Sequence, residues 1–238
     1  GLGDVYKRQL SKEVASEIFK IGIPTLVFQI LTSLSISLIN NAAADYGDAA
    51  IAGMGVVIRL VSMGSLTIFG FIKGFQPIAG YSYGAKKFNR LHEAIKTSII
   101  WSTIFCVVYG LILALFSTSI VSQFASGNLE MMKVGASSLR VNGISLMLFG
   151  FYTVYSSLFL ALGKGKEGFI LGACRQGICF VPVILVLPMI WGLNGILYAQ
   201  PVADVLSAII TVFMAIHLHR ELNEAEKQAA IAGTNEVH

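Results

Sequence analysis

No charged side chain occurs between Lys20 and Asp45, a run of 24 residues, and none between Lys96 and Glu130, a run of 33. A helix crosses the hydrocarbon of a bilayer in about 20 apolar residues, so either run is long enough to span it. Hydrophobic residues make up 55% of the chain and charged residues 13%, against about 25% charged in ordinary soluble domains. One core of this size cannot hide that much apolar surface. The sequence is that of an integral membrane protein, and its expected fold class is an all-α polytopic bundle.

Six spans are expected at about 22–44, 49–72, 97–121, 134–162, 168–190 and 193–217. They are separated by DYGD, YGAKKFNRLHEAIK, SGNLEMMK, GKGKEG and WGLNG. The last break is so short that spans five and six should form a tight helical hairpin. Pro24, Pro182 and Pro188 lie inside or near the ends of spans, where proline should kink helices and free backbone carbonyls. Residues 10–222 form the six-helix unit, and 223–238 form a polar tail.

Positive charge sets the orientation. With the N-terminal side in the cytoplasm, and leaving out Lys7 and Arg8 of the leader, the inside segments hold eleven Lys and Arg (among them Lys73, Lys86, Lys87, Arg90, Lys96, Lys164 and Lys166) and the outside segments only Lys133. Both ends are therefore expected on the cytoplasmic side. The net charge of +4 then reflects topology and anionic lipid at the inner face, not a nucleic-acid partner.

Enzyme signatures are lacking: the chain has no GxSxG, no HExxH and no P-loop after a strand. Cys106, Cys174 and Cys179 sit in apolar stretches without a CxxC pair and read as small buried hydrophobes. His217 and His219 are two residues apart, which points them to different sides of a helix, so interfacial anchoring explains them better than a metal site. The Gly70–Gly74, Gly80–Gly84 and Gly168–Gly172 spacings would permit close helix approach.

Charges inside spans are costly and usually face a bundle interior or a water-filled cavity. Four are present: Arg59, Arg140, Arg175 and Asp204. Arg140 and Arg175 lie about 9 and 10 Å from the nearer membrane edge at 1.5 Å per residue, within reach of the headgroups by snorkelling. Arg59 and Asp204 lie about 15 and 16 Å deep, near the midplane. Matching depth suggests an Arg59–Asp204 pair, either fixing helix registry or serving a polar transport core. Uncharged polar groups add Gln29, Ser33 and Ser37 (with Asn40) as a stripe on span one, and Asn142, Ser145, Tyr152 and Tyr155 on span four. Such stripes fit interhelical hydrogen bonding and equally fit a greasy, cation-accepting vestibule.

Span two ends in GFQPIAGYSYGAKKFNRLHEAIK. Its Gln76-Pro77 step, then Gly80-Tyr81-Ser82-Tyr83-Gly84-Ala85, then Lys86, Lys87 and Arg90, closely resemble the multidrug and toxic compound extrusion (MATE) family. Asn is common in that family where Ser82 stands. LGKGKEGFILGACRQGICFVPVILVLP resembles the family's penultimate helix, and WGLNGILYAQPVADVLSAII its last, with Pro201 and Asp204 in place. The resemblance covers about residues 18–222. From the residues alone, Pro77 and Gly80 loosen the cytoplasmic end of span two, Tyr81 and Tyr83 sit at interface height, and Lys86, Lys87 and Arg90 lie on an amphipathic segment against anionic headgroups. That motif reads as an anchor, and as a hinge for a moving helix.

The resemblance implies a proton- or sodium-coupled antiporter in the cell membrane of a prokaryote, expelling amphipathic, often cationic drugs or metabolites. It implies twelve spans in two lobes, of which this chain matches the second, with an N-terminal lobe of the same polypeptide as partner and no cofactor beyond the coupling ion. Some branches bind that ion through acidic residues on the first and fourth helices of this lobe; spans one and four here carry none. The candidate pathway residues are Gln29, Asn40, Arg59, Asn142 and Asp204. Two other functions fit the residues. A lipid-linked oligosaccharide flippase of the same superfamily would use several Arg for a pyrophosphate; a self-contained six-span channel or structural subunit would need no second lobe. The leader GLGDVYKRQ lacks the apolar run of a signal peptide and resembles the translation of a transposase adapter used in library preparation. Residues 1–9 are accordingly expected to be an artefact preceding a fragment.

Overall fold

The computed structural model describes residues 12–125 and 127–235. The expected adapter-derived residues 1–9 lie outside the described residues. Eight α-helices and one π-helical turn account for the described elements, with no strand among them: α1 Lys12–Ala44, α2 Asp48–Gly84, α3 Phe88–Leu115, α4 Ser117–Ser122, α5 Leu129–Ala161, α6 Gly165–Ala173, a π turn Cys174–Ile178, α7 Phe180–Trp191 and α8 Leu193–Asn235. They supply six membrane-length apolar segments, α6 through α7 forming the fifth. The chain is a multi-pass membrane protein.

Helix ends depart from the span boundaries in an instructive way. α2 was expected to leave the membrane near residue 72, yet it continues to Gly84; its 37 residues extend about 55 Å, well beyond a hydrocarbon layer of about 30 Å. α3 likewise begins at Phe88 and ends at Leu115, after which residues 117–122 form the separate α4. α8 runs on through most of the expected tail. Hydropathy reports where lipid ends; helical hydrogen bonding continues through charged residues beyond it.

Around the GYSYGAKK motif α2 passes through Pro77 without a break, and Arg90 stands on the exposed face of the first turns of α3, whose Phe88, Leu91 and Ile95 are buried. Between the two helices the chain reverses in one tight turn: Lys87 N–H donates to the Ser82 carbonyl at 2.8 Å and Lys86 N–H to that of Tyr83 at 3.0 Å. This paired pattern requires a left-handed residue, and Lys86 holds φ 54°. The same pattern closes α5, where Gly163 takes the left-handed position at φ 75°. Lys87 Nζ lies 5.9 Å from the centroid of the exposed Tyr81 ring, and Tyr83 meets Phe88 edge-on at 6.3 Å.

α5 is the most buried of the spans and packs against α2, α3, α4, α6 and α8. Its approach to α3 depends on glycine. A β-carbon at Gly110 would fall 2.3 Å from the Gly143 carbonyl oxygen, and one at Gly150 would fall 2.7 Å from that of Ser102. Of the spacings singled out in the sequence, Gly70, Gly74 and Gly84 have open space around them. Regular spacing marks candidates, but only the facing helix decides which are used. The three cysteines are buried. His217 is exposed beside Glu221, whereas His219 turns inward, its Nε2 2.9 Å from the Tyr155 hydroxyl.

Candidate functional site

The interior polar site is built on the hairpin of the last two spans. An ideal α-helix would ask residue 182 to donate to the carbonyl of Ile178, but residue 182 is proline and has no N–H. The helix widens just before it, and the Cys179 N–H reaches back five residues to Cys174 at 2.8 Å. Single π turns of this kind are frequent at functional sites. This one carries Arg175 and Gln176, and the Ser35 hydroxyl of α1 lies 2.7 Å from the Gln176 carbonyl oxygen.

Arg175 meets Asp204 of α8. Arg175 Nε donates to Asp204 Oδ1 at 2.7 Å, with the side chains 9% and 5% exposed. One turn earlier on the same face of α8, Gln200 Nε2 donates to the same oxygen at 2.9 Å. The Ser145 hydroxyl of α5 lies 3.0 Å from Oδ2 and 3.1 Å from the Asn142 carbonyl; the charged oxygen is the stronger acceptor for its single proton. Asn142 is itself held by the Ser138 carbonyl at 2.9 Å. The Phe149 ring lies against the guanidinium, 4.7 Å from Cζ. Two opposite charges thus sit in low dielectric with hydrogen bonds completing the carboxylate, the condition under which a buried pair is tolerated.

Two cavities adjoin this cluster. The larger, about 370 Å³, is walled by α1, α2 and the π turn, with Gln29, Thr32 and Asn142 among its polar lining and Phe28, Met54 and Phe69 among its apolar lining. The smaller, about 140 Å³, lies toward Lys73 and Gln76. Phe28, Phe69 and Arg175 line both and form the wall between them.

The pairing expected from depth is corrected. Asp204 bonds Arg175, and Arg59 is exposed and lines neither cavity. Depth fixes the height of a side chain but not the direction in which its helix points it. Of the candidate pathway residues, Gln29 and Asn142 line the larger cavity and Asp204 lies behind Arg175; Asn40 is exposed and apart from it. The Gln29–Ser33–Ser37 stripe divides: Ser33 and Ser37 are exposed and line neither cavity, whereas Gln29, with Thr32 and Ser35, lines the larger one. In the cytoplasmic motif, Gln76 Nε2 lies 3.5 Å from the Ser157 hydroxyl. Gly80 approaches the Ala161 carbonyl so closely that a β-carbon would lie 3.1 Å from it. Gly84 and Arg90 are exposed.

The sequence reading missed the Arg175–Asp204 pair, although a signal was present. About 10 Å from one edge and about 16 Å from the other leaves about 4 Å between them across a layer of about 30 Å. The WGLNG break makes their helices neighbours.

Comparison with known proteins places this architecture. Residues 24–186 match the MatE family model. The chain is 29% identical over 212 residues to the multidrug export protein MepA of Staphylococcus haemolyticus, covering 89% of this chain and 46% of that protein. It is 29% identical over 223 residues to MepA of Staphylococcus aureus strain MSSA476, covering 94% and 49%. The chain therefore spans about half the length of the curated relatives it matches. Among solved structures, the Vibrio cholerae MATE transporter VcmN in its bent form superposes with a TM-score of 0.80 at 19% identity, over 92% of this chain and 50% of that one. A MOP superfamily transporter from Pyrococcus furiosus superposes with a TM-score of 0.81 at 20% identity, over 90% and 48%.

Proposed function

The chain belongs to the MatE family, whose members are transporters and not enzymes, and on that premise we propose that it is one six-helix lobe of a secondary active multidrug exporter. The substrates are amphipathic or cationic small molecules. A proton or sodium ion moving inward drives their export while two lobes alternate access to either side of the membrane. The second lobe belongs to the same polypeptide, the membrane is the cell membrane of a prokaryote, and both ends of this chain face the cytoplasm. The Lys and Arg distribution supports that orientation.

The observation that carries the proposal is the larger cavity. Its wall is apolar and aromatic with a few convergent polar groups, the composition that binds varied amphipathic molecules. Behind it both oxygens of Asp204 are taken by Arg175, Gln200 and Ser145, so the carboxylate does not occupy the cavity.

The flippase reading calls for several Arg converging on a pyrophosphate. Among the described residues Arg175 is the only Arg lining either cavity, and Arg59 and Arg140 are exposed, which favours drug export. Growth of a drug-sensitive host expressing the full-length reading frame separates the two. Export raises the tolerated concentration of amphipathic drugs several-fold. Unchanged drug tolerance, with complementation of a flippase-deficient strain, would reverse the assignment.

A further inference from the structure

Arg175 carries more donors than the described protein uses. A guanidinium offers five N–H groups in one rigid plane. Among the described residues only its Nε has a protein acceptor, Asp204 Oδ1. The two terminal nitrogens have none, although the side chain is only 9% exposed. Phe149 lies against the guanidinium and gives it an aromatic contact but no oxygen acceptor. The residue lines both cavities, so the unmatched donors face space that a ligand can enter. Neither nitrogen is among the fully buried polar atoms without a partner, which fits donors open to the cavity.

The matching carboxylate is withdrawn from that space. Asp204 lines neither cavity, and its oxygens are occupied by Arg175, Gln200 and Ser145. Among the described residues no Asp or Glu lines either cavity, while Lys73 adds a second cation to the smaller one. A ligand meets two cationic side chains and no carboxylate, with neutral amides and hydroxyls, among them the unpartnered Gln176 Oε1, as the remaining polar groups. This is the reverse of a vestibule built for cations.

We propose that Arg175 is a specificity-determining residue whose terminal nitrogens bind a planar acceptor group on the substrate, a carboxylate above all. The fork geometry matches a carboxylate in two parallel hydrogen bonds, and Phe28 and Phe69 beside it take the apolar body of the ligand. The inference rests on the larger cavity being the substrate path and narrows its class: this lobe holds carboxylate-bearing or zwitterionic amphiphiles in preference to simple hydrophobic cations.

The test is binding, read by fluorescence on the full-length protein in lipid nanodiscs. The probes share one ring system: 9-anthracenecarboxylate, its methyl ester, and (9-anthracenylmethyl)trimethylammonium. Wild type is expected to bind the carboxylate about ten-fold tighter than the ammonium, equivalent to about 1.4 kcal/mol, with the ester weakened by a similar factor. Arg175→Gln combined with Asp204→Asn removes both charges and leaves neither unpaired; it should abolish the preference while ammonium affinity stays within about two-fold. Equal affinities or an ammonium preference in wild type would overturn the proposal, as would an unchanged preference in the double variant. The ester comparison needs no substitution and tests the carboxylate preference even if the variant does not fold. Failure of the exporter reading appears separately, as unchanged drug tolerance in cells whose purified protein still prefers the carboxylate.

Discussion

The Ser35 hydroxyl on α1 lies 2.7 Å from the Gln176 carbonyl oxygen, joining the first helix to the widened turn that carries Arg175. Ser35 is buried at 2% exposure and stands beside Gln176 in the wall of the larger cavity. Interhelical hydrogen bonds in membranes average about 0.6 kcal/mol, and an orphaned buried carbonyl adds to the loss. Ser35→Ala should destabilise the protein by about 1 kcal/mol, read as a lowered thermal midpoint in detergent. Ser33→Ala, on the exposed face of the same helix, should stay within about 0.5 kcal/mol. Equal effects would mean that the serine does not tie α1 to the turn.

The Arg175–Asp204 pair gives a larger effect. Arg175→Ala leaves a carboxylate 5% exposed with only Gln200 and Ser145, and breaking such pairs costs about 3–5 kcal/mol. Size-exclusion profiles of detergent-solubilised full-length protein should show lost monodisperse material. Arg59→Ala should leave the profile unchanged. Exchanging Arg175 with Asp204 should recover part of the loss, whereas exchanging Arg59 with Asp204 should recover none. Recovery in the second exchange would restore the pairing inferred from depth alone.

Close backbone approach between α3 and α5 makes Gly110 intolerant of a side chain. The obstacle at 2.3 Å is a main-chain oxygen, which cannot move aside as a flexible side chain would. Gly110→Ala should cost about 1–3 kcal/mol, measured by thermal unfolding. Gly74→Ala, with no atom within 4 Å of its added carbon, serves as the neutral comparison.

Strain at Lys86 predicts the opposite sign. Its left-handed φ of 54° costs a residue with a β-carbon about 1–2 kcal/mol, a cost that Gly163 avoids at the equivalent position of α5. Lys86→Gly gives the unfolded chain more freedom, which offsets part of the gain. A net rise of about 0.5 kcal/mol in stability is expected from the same unfolding assay. A fall would show that the Lys86 side chain makes contacts worth more than the strain.

Much of the fold was legible because a bilayer imposes a single length on apolar segments. The breaks at DYGD and WGLNG fall where α1 meets α2 and α7 meets α8. The π turn was legible only as a proline warning at Pro182, since sequence shows the missing N–H but not which carbonyl the helix abandons. The Arg59–Asp204 pairing was misjudged because, in a chain that is apolar all round, hydropathy barely distinguishes a helix face turned to lipid from one turned to a cavity. Thr32 and Ser35 illustrate the same limit on α1, where the exposed Ser33 and Ser37 are chemically indistinguishable from them.

Ion-driven transport is tested most directly by reconstituting the full-length protein into liposomes and imposing a proton or a sodium gradient on a labelled amphiphile. The expected result is gradient-dependent accumulation under one of the two ions, dissipated by the matching ionophore and lost in the Arg175→Gln, Asp204→Asn double variant for carboxylate-bearing substrates. Accumulation that ignores both gradients, or no accumulation above empty liposomes, would contradict an antiporter.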